Sequence, residues 1–145
     1  MTDHLKLFSM ENLKMIWKPV PGFENYEISE KGDLRKGSKM LRPERVVGSG
    51  RKRFCLSKGG RQYRFKAAQL VAMAFIGPKP FRRAEVCHHD GFEHNDHFSN
   101  LRWDSRLGNV ADAVQHRLNR RMSLGRAQPK HQLDALASRF LANHR

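Results

Sequence analysis

The stretch from Val86 to Trp103, VCHHDGFEHNDHFSNLRW, restricts the possible folds more than any other part of the chain. It holds four of the eight histidines, two asparagines, two aspartates and no lysine, inside a protein of formal net charge +14. Val86-Cys87-His88 reads as a short strand and Asn100-Leu101-Arg102-Trp103 as a second, joined by a polar loop with Gly91 at a turn position. Ser105 then has the type and place of a helix N-cap. The helix runs through about Asn119, with Leu107, Val110, Val114 and Leu118 as its apolar stripe. Strand, loop, strand and helix follow in that order, with a histidine on the first strand.

The charge is unevenly spread. Residues 1–35 sum to −1, 36–66 to +10, 67–116 to −1 and 117–145 to +6. Two basic flanks bracket a nearly neutral centre, a distribution suited to a polyanionic partner held by the flanks while the centre does chemistry. A basic surface that merely solvates the fold is the bland alternative. Eleven basic residues against Glu44 alone in 36–66 weigh against it. With 145 residues the chain has room for one ordinary domain or two small modules. Cys55 and Cys87 are the only cysteines, which leaves no disulfide framework and no four-cysteine zinc site. Lys6 interrupts the apolar residues near the start, so no signal peptide is expected, and Leu70 to Ile76 is too short to span a bilayer. An intracellular, cytoplasmic protein with no membrane partner is the expectation.

Residues 1–15 show no organisation and are expected to form a frayed or disordered leader. From Trp17 the sequence WKPVPGFENYEISEKGDLR alternates Tyr26 and Ile28 with Glu27 and Ser29, and turns at Lys31-Gly32-Asp33. Trp17, Phe23 and Tyr26 would pack a small β-meander. Gly59-Gly60 marks a two-residue hairpin turn. Closing it pairs Leu56 with Tyr63 and Phe54 with Phe65 on one face, and Cys55 with Arg64 and Arg53 with Lys66 on the other. Like charges opposite one another cost stability unless an anion lies between them, which suits a cationic β-ribbon on nucleic acid. Ala67, Leu70, Val71, Ala74 and Phe75 then follow a helical template over 67–76, ended by Gly77-Pro78. Past the central helix lies a basic tail, with a last helix expected from about Pro129 to Leu141.

The central stretch resembles the HNH nuclease motif of the phage and intron-homing branch. The matching residues are Val86, His88, Asp90, Gly91, Asn95, Asn100, Leu101 and Trp103. The segment around Trp17, Pro21-Gly22-Phe23, Tyr26-Glu27-Ile28-Ser29 and Gly32 resembles the NUMOD-type motif found ahead of such domains. The resemblance implies an α+β fold: an N-terminal antiparallel β-meander and hairpin module, then a ββα-metal (His-Me finger) nuclease core, then a C-terminal helical tail. The expected division is 1–15 leader, 16–66 NUMOD-like DNA-binding module, 67–120 HNH core with its preceding helix, and 121–145 basic linker and helix.

The implied activity is metal-dependent hydrolysis of double-stranded DNA, by nicking or cutting. Such a reaction needs a base near neutrality and a hard cation. By resemblance His88 is the general base, Asn100 braces the loop, and Asn109 is a metal ligand projecting from the helix. Asp90 can assist the metal, although turn chemistry also explains an Asp-Gly pair. Relatives often carry an aspartate where this chain has Cys87, as a metal ligand beside the base. A thiol is a softer donor, poorly matched to Mg²⁺. Relatives also often carry a histidine where Ala68 stands. One Mg²⁺ or Mn²⁺ per site is expected and no small-molecule cofactor, in a monomer. Arg51, Lys52, Arg53, Arg61, Arg64, Lys66, Arg117, Arg120 and Arg121 are the expected DNA contacts. Two other classes stand beside this one. A non-catalytic DNA-binding protein could keep the HNH shape as a scaffold. A zinc module on Cys87, His88, His94 and His97 would need a C-H-x5-H-x2-H spacing that matches no common finger. His89, His94 and His97 are otherwise expected on the loop surface, and Trp103 in the core.

Overall fold

The structure is a computed structural model and describes residues 14–124. The expected leader and the expected helix from about Pro129 fall almost wholly or wholly outside the described residues. The described part is a mixed α/β arrangement of three antiparallel sheets and few helices.

The first sheet has four strands in sequential order: β1 (Trp17–Val20), β2 (Phe23–Ser29), β3 (Leu34–Lys36) and β4 (Lys39–Met40). Between β2 and β3 the Ser29 hydroxyl accepts from the Asp33 amide at 2.9 Å and from the Lys31 amide at 3.3 Å, which closes the turn through Gly32. The second sheet joins β5 (Glu44–Arg45), β6 (Lys52–Lys58) and β7 (Arg61–Lys66). Its hairpin has the register that the Gly59-Gly60 turn predicts: Phe54 opposite Phe65, Leu56 opposite Tyr63, Cys55 opposite Arg64, Arg53 opposite Lys66. The two sheets are tied together where the Tyr26 hydroxyl accepts from the Ser57 amide at 3.0 Å, and where Phe23 meets Tyr63 and Phe65 edge-on.

Helix α1 (Ala67–Val71) continues as a wider turn over Ala72–Ile76. There the Gly77 amide reaches back five residues to the Ala72 carbonyl at 3.0 Å. Ala67, Leu70, Val71 and Ala72 are buried, while Phe75 stacks on Phe98 at its edge. The third sheet is the hairpin β8 (Glu85–His88) and β9 (Leu101–Asp104), with Phe98–Asn100 a turn of 3₁₀-helix between them. Its register sets Val86 against Trp103 and Cys87 against Arg102. Helix α2 (Arg106–Ser123) begins with the Ser105 hydroxyl accepting from the Gly108 amide at 3.1 Å, and runs past the expected end at Asn119.

A single cluster of buried side chains crosses these elements. Val20, Ile28 and Leu34 from the first sheet meet Phe54 and Leu56, then Leu70 and Val71, and finally Leu101 of β9. Burial of each such aliphatic side chain is worth about 1.5–3 kcal/mol. The cluster thereby anchors the β8–β9 hairpin against the N-terminal strands. Helix α2 departs from expectation: none of its residues is buried, and Leu107 of its apolar stripe is about half exposed. Its polar residues Asn109, Asp112 and His116 approach the hairpin, while Val110, Val114 and Leu118 of the stripe are half-buried. The physical cause is the hairpin's outer face, which carries Glu85, Arg102 and Asp104 and so prefers polar partners.

Candidate active site

Pleating sends successive side chains of β8 and β9 to opposite faces. One face carries Val86, His88, Leu101 and Trp103; it looks toward the core, where Leu101 is buried and the Trp103 indole donates to the Gly77 carbonyl at 3.0 Å. The other carries Glu85, Cys87, Arg102 and Asp104 and looks toward α2. The two residues expected to work side by side, Cys87 and His88, thus lie on opposite faces of one short strand.

His88 sits at a cavity of about 640 Å³. Arg51 just before β6, with Lys52 and Lys66 of the β6–β7 hairpin, joins its lining, the loop before β8 supplies Lys79 and Arg83, and α2 supplies Arg106, Asn109 and Val110. The His88 Nε2 lies 2.9 Å from the Asp96 Oδ1, and both side chains are nearly covered. Two acids temper the cations here. Lys52 pairs with Asp33 at 3.6 Å, and Arg51 pairs with Glu93, whose carboxyl this guanidinium holds below the usual range.

Asn100, 8% exposed, braces the histidine loop. Its amide donates to the Asn95 carbonyl at 2.9 Å and to the Asp90 Oδ1 at 3.0 Å, and its oxygen accepts from the Asp90 amide at 3.1 Å. Asp90 spends its oxygens on the same turn, taking the Phe92 amide at 2.8 Å and the Asn95 side chain at 2.9 Å. Partial burial opposes ionisation, but the hydrogen bonds from Asn95, Phe92 and Asn100 prevail and hold its pKa below the ordinary carboxylate value. Gly91 completes the turn at φ +72°, and a β-carbon there would strike the His116 ring of α2 at 2.8 Å. His89 is exposed and sits 3.2 Å from Arg102, His94 is exposed, and half-buried His97 caps the 3₁₀ turn by accepting from the Ser99 amide at 3.2 Å.

The opposite face holds a second cluster. The Cys87 thiol and the Asp104 and Asp112 carboxylates lie within 4.8 Å of one another. Asp90, expected to join Cys87, does not belong to this group. Arg102 reaches both acids, donating to Asp104 at 3.0 Å and also to Asp112. The Asp112 hydrogen bond raises the Arg102 pKa, while the Ser105 amide and then Arg102 hold Asp104 below its ordinary value. Cys87 is 1% exposed, and burial pushes its thiol up to about 11, so it is neutral near pH 7. The Asn109 amide donates to the Glu85 carboxylate at 3.1 Å, which holds it at the boundary of this cluster and the cavity.

Of the expected DNA contacts, Arg51, Lys52 and Lys66 line the cavity with His88. Arg53 and Arg64 are drawn to Glu44 of β5, at 2.9 and 4.0 Å, so the anion expected between Arg53 and Lys66 is partly supplied within the chain. Arg61 is exposed at the hairpin tip, and Arg117, Arg120 and Arg121 are exposed along α2. Asp96, Arg102, Asp104, Lys79, Arg83 and Arg106 escaped the sequence reading. Strand alternation from Glu85 and Cys87 could have pointed to Arg102 and Asp104, because the facing strand repeats the same parity. For Asp96, no local signal separates it from its loop neighbours.

The described residues form a small antiparallel α/β chain whose histidine-bearing hairpin opens on a cation-lined cavity. Residues 15–59 match the NUMOD4 motif family. The chain is 34% identical over 108 residues to an uncharacterised HNH endonuclease of Acanthamoeba polyphaga mimivirus, covering 72% of this chain and 31% of that protein. It is 33% identical over 104 residues to the DNA endonuclease I-HmuI of Bacillus phage SP01, covering 69% of this chain and 58% of that protein. The solved structure of I-HmuI, described as DNA binding and cleavage by an HNH homing endonuclease, superimposes with a TM-score of 0.58 at 30% identity, over 83% of this chain and 66% of that one. The chain carries a NUMOD4 motif, and its homologues are HNH endonucleases. It spans between 31% and 58% of the length of these curated relatives.

Proposed function

We propose that the chain is a metal-dependent endonuclease that nicks or cuts double-stranded DNA, of the phage homing type, with His88 as the general base. One observation carries this reading: His88 borders a cavity whose rim combines Arg51, Lys52, Lys66, Lys79, Arg83 and Arg106. Cations drawn from three separate elements onto one histidine suit a phosphodiester held for attack. In the reaction His88 takes a proton from water, the oxygen of that water bonds to phosphorus, and the bond to the 3′ oxygen breaks. The departing 3′ oxygen takes a proton from solvent, leaving a 5′-phosphate and a 3′-hydroxyl. Arg51 and Lys66 bind the phosphate and neutralise its growing charge, and Asn100 keeps the loop of the base in place.

The hairpin and α2 then correspond to a ββα-metal arrangement. The donors facing each other there suit a hard divalent ion, Mg²⁺ or Mn²⁺: Asp104, Asp112 and Glu85 offer carboxylates, Asn109 an amide oxygen, and Arg102 already satisfies part of their demand for positive charge. Asn109 with Asp104 and Asp112 would hold the ion, and Cys87 would be a neutral neighbour. A bound ion would supply positive charge for the attacked phosphate and the departing oxygen, Asn109 being the ligand that borders the cavity of His88. Asp90 serves the turn. In this reading residues 16–66 form the DNA-binding module, 67–120 the nuclease core, and 121–145 a basic extension. Arg53, Arg61, Arg64, Arg117, Arg120 and Arg121 contact the backbone more peripherally than the cavity cations do.

Nicking of supercoiled plasmid with Mn²⁺ or Mg²⁺, abolished by EDTA, tests the proposal. His88→Ala should lower the rate by about 10²- to 10⁴-fold, the worth of a general base, with DNA affinity little changed. Wild-type nicking by that variant would end the assignment of His88. DNA binding without nicking by the unmodified protein, with either metal, would favour the non-catalytic scaffold.

A further inference from the structure

We infer that Asp96 is a positioning residue for His88, and that the N-terminal NUMOD4 motif holds it in place, so that this motif is part of the catalytic apparatus as well as a DNA contact. The inference rests on the reading of His88 as general base. Its starting point is one contact: Asp96, 5% exposed, faces the His88 Nε2 with its Oδ1 at 2.9 Å. A carboxylate can only accept, so the hydrogen of a neutral His88 ring belongs on Nε2, and Nδ1 carries the lone pair. A base must present that lone pair on one fixed nitrogen. A ring free to exchange tautomers or to rotate would spend much of its time presenting the wrong atom.

The position of Asp96 is not set by its own loop alone. The Gly32 turn between β2 and β3 packs directly on it. A β-carbon on Gly32 would lie 3.1 Å from the Asp96 β-carbon and 3.6 Å from its Oδ2, and the Gly32 φ of +89° already disfavours any side chain there. On either side of Asp96 the loop is fastened to other parts of the fold. The Phe98 amide donates to the Glu30 carbonyl at 3.1 Å, the His97 Nε2 lies 3.8 Å from the Glu30 carboxylate, and Glu93 pairs with Arg51. Glu30 and Gly32 lie within the segment that matches NUMOD4. A path of direct contacts therefore leads from the β2–β3 turn through Asp96 to His88. The glycine of the turn is the residue that lets the carboxylate approach.

The test uses the full chain and its Asp96→Ala, Asp96→Asn, Gly32→Ala and His88→Ala variants, each first checked by thermal melt. Turnover at saturating plasmid with Mn²⁺ and the Kd for DNA are measured separately. Long-range ¹⁵N–¹H spectra of ¹⁵N-histidine-labelled protein, assigned with His88→Ala, report which ring nitrogen carries hydrogen. The expected wild-type signature is His88 protonated on Nε2. Asp96→Ala should mix the tautomers and slow turnover by about 10- to 100-fold, the cost of a misplaced base, with Kd within about twofold. Asp96→Asn, whose amide oxygen still accepts, should recover part of the rate and keep the tautomer. Gly32→Ala should lose turnover in the same direction without a matching loss of DNA affinity. A folded Asp96→Ala variant with wild-type turnover and an unchanged tautomer would overturn the positioning role. A folded Gly32→Ala with wild-type turnover would separate the NUMOD4 turn from catalysis. Undiminished nicking by His88→Ala would refute the general-base reading instead, while the tautomer spectrum still decides whether Asp96 holds the ring.

Discussion

Replacing Arg102 with Met removes the one positive charge between Asp104 and Asp112 while keeping much of the side chain's length. The magnitude follows from the contacts. Arg102 donates to Asp104 at 3.0 Å and also to Asp112, and a hydrogen bond between charged groups is worth about 1.5–3 kcal/mol when protected from water. Here the three side chains are 31%, 32% and 34% exposed, so screening removes much of that. A loss of about 1–2 kcal/mol in EDTA and low salt is expected, which for a chain this size lowers Tm by about 4–8 °C. The deficit should also depend on pH. Asp104 titrates below its ordinary value because of the Ser105 amide and Arg102, so its share of stability is complete above the unfolded pKa and is lost as pH falls through the folded one. The difference between wild type and Arg102→Met should therefore shrink in acid, below about pH 4. Divalent metal supplies the counter-test. With the guanidinium gone, Mn²⁺ should stabilise the variant more than wild type, and an ion at a hundred times its Kd adds about 2.7 kcal/mol. Thermal melts across pH with EDTA or Mn²⁺ measure all of this. Equal melting of the two proteins in EDTA, or an identical Mn²⁺ response, would refute the idea that Arg102 balances a cation-seeking cluster.

Salt dependence should separate the two sets of basic residues. Lys66→Ala with Lys79→Ala, which line the cavity and form no ion pair among the described residues, should reduce the slope of log Kd against log salt by about one per lost phosphate contact, as read by fluorescence anisotropy. Arg53→Ala with Arg64→Ala should change it less, because Glu44 already occupies those charges; equal effects would show that the cavity has no special place on DNA. For Cys87, burial that pushes the thiol up to about 11 should keep it unreactive to iodoacetamide at pH 8, with alkylation confined to partly exposed Cys55 until the protein unfolds. Because the unfolded thiol ionises first, stability should fall between about pH 9 and 11, and Cys87→Ala should lose that component in alkaline melts.

Local chemistry determined a large share of what this protein is. The Gly59-Gly60 turn and the alternation around it specify every pair of the β6–β7 hairpin, because a strand's period of two leaves one register that buries Phe54 and Leu56. Ser105 starts α2 and Gly77 closes the turn after α1 for similarly local reasons. The spacing of Val86, His88, Gly91, Asn100 and Trp103 carries the HNH resemblance without any knowledge of contacts. Tertiary structure alone decided which of these groups meet. Periodicity alone made Leu107, Val110, Val114 and Leu118 the apolar stripe of α2, yet none of them is fully buried, and the charged outer face of the β8–β9 hairpin receives Asn109 and Asp112. Parity along β8 sets Cys87 and His88 on opposite faces, but only the fold shows that one face closes on Arg102 and the other on Asp96. Asp96 lies eight residues beyond His88 in an irregular loop, so no period predicts its position. It reaches the imidazole because Glu30 and Gly32, more than sixty residues earlier, hold that loop in place, and contacts over such separations are set by packing rather than by any local propensity.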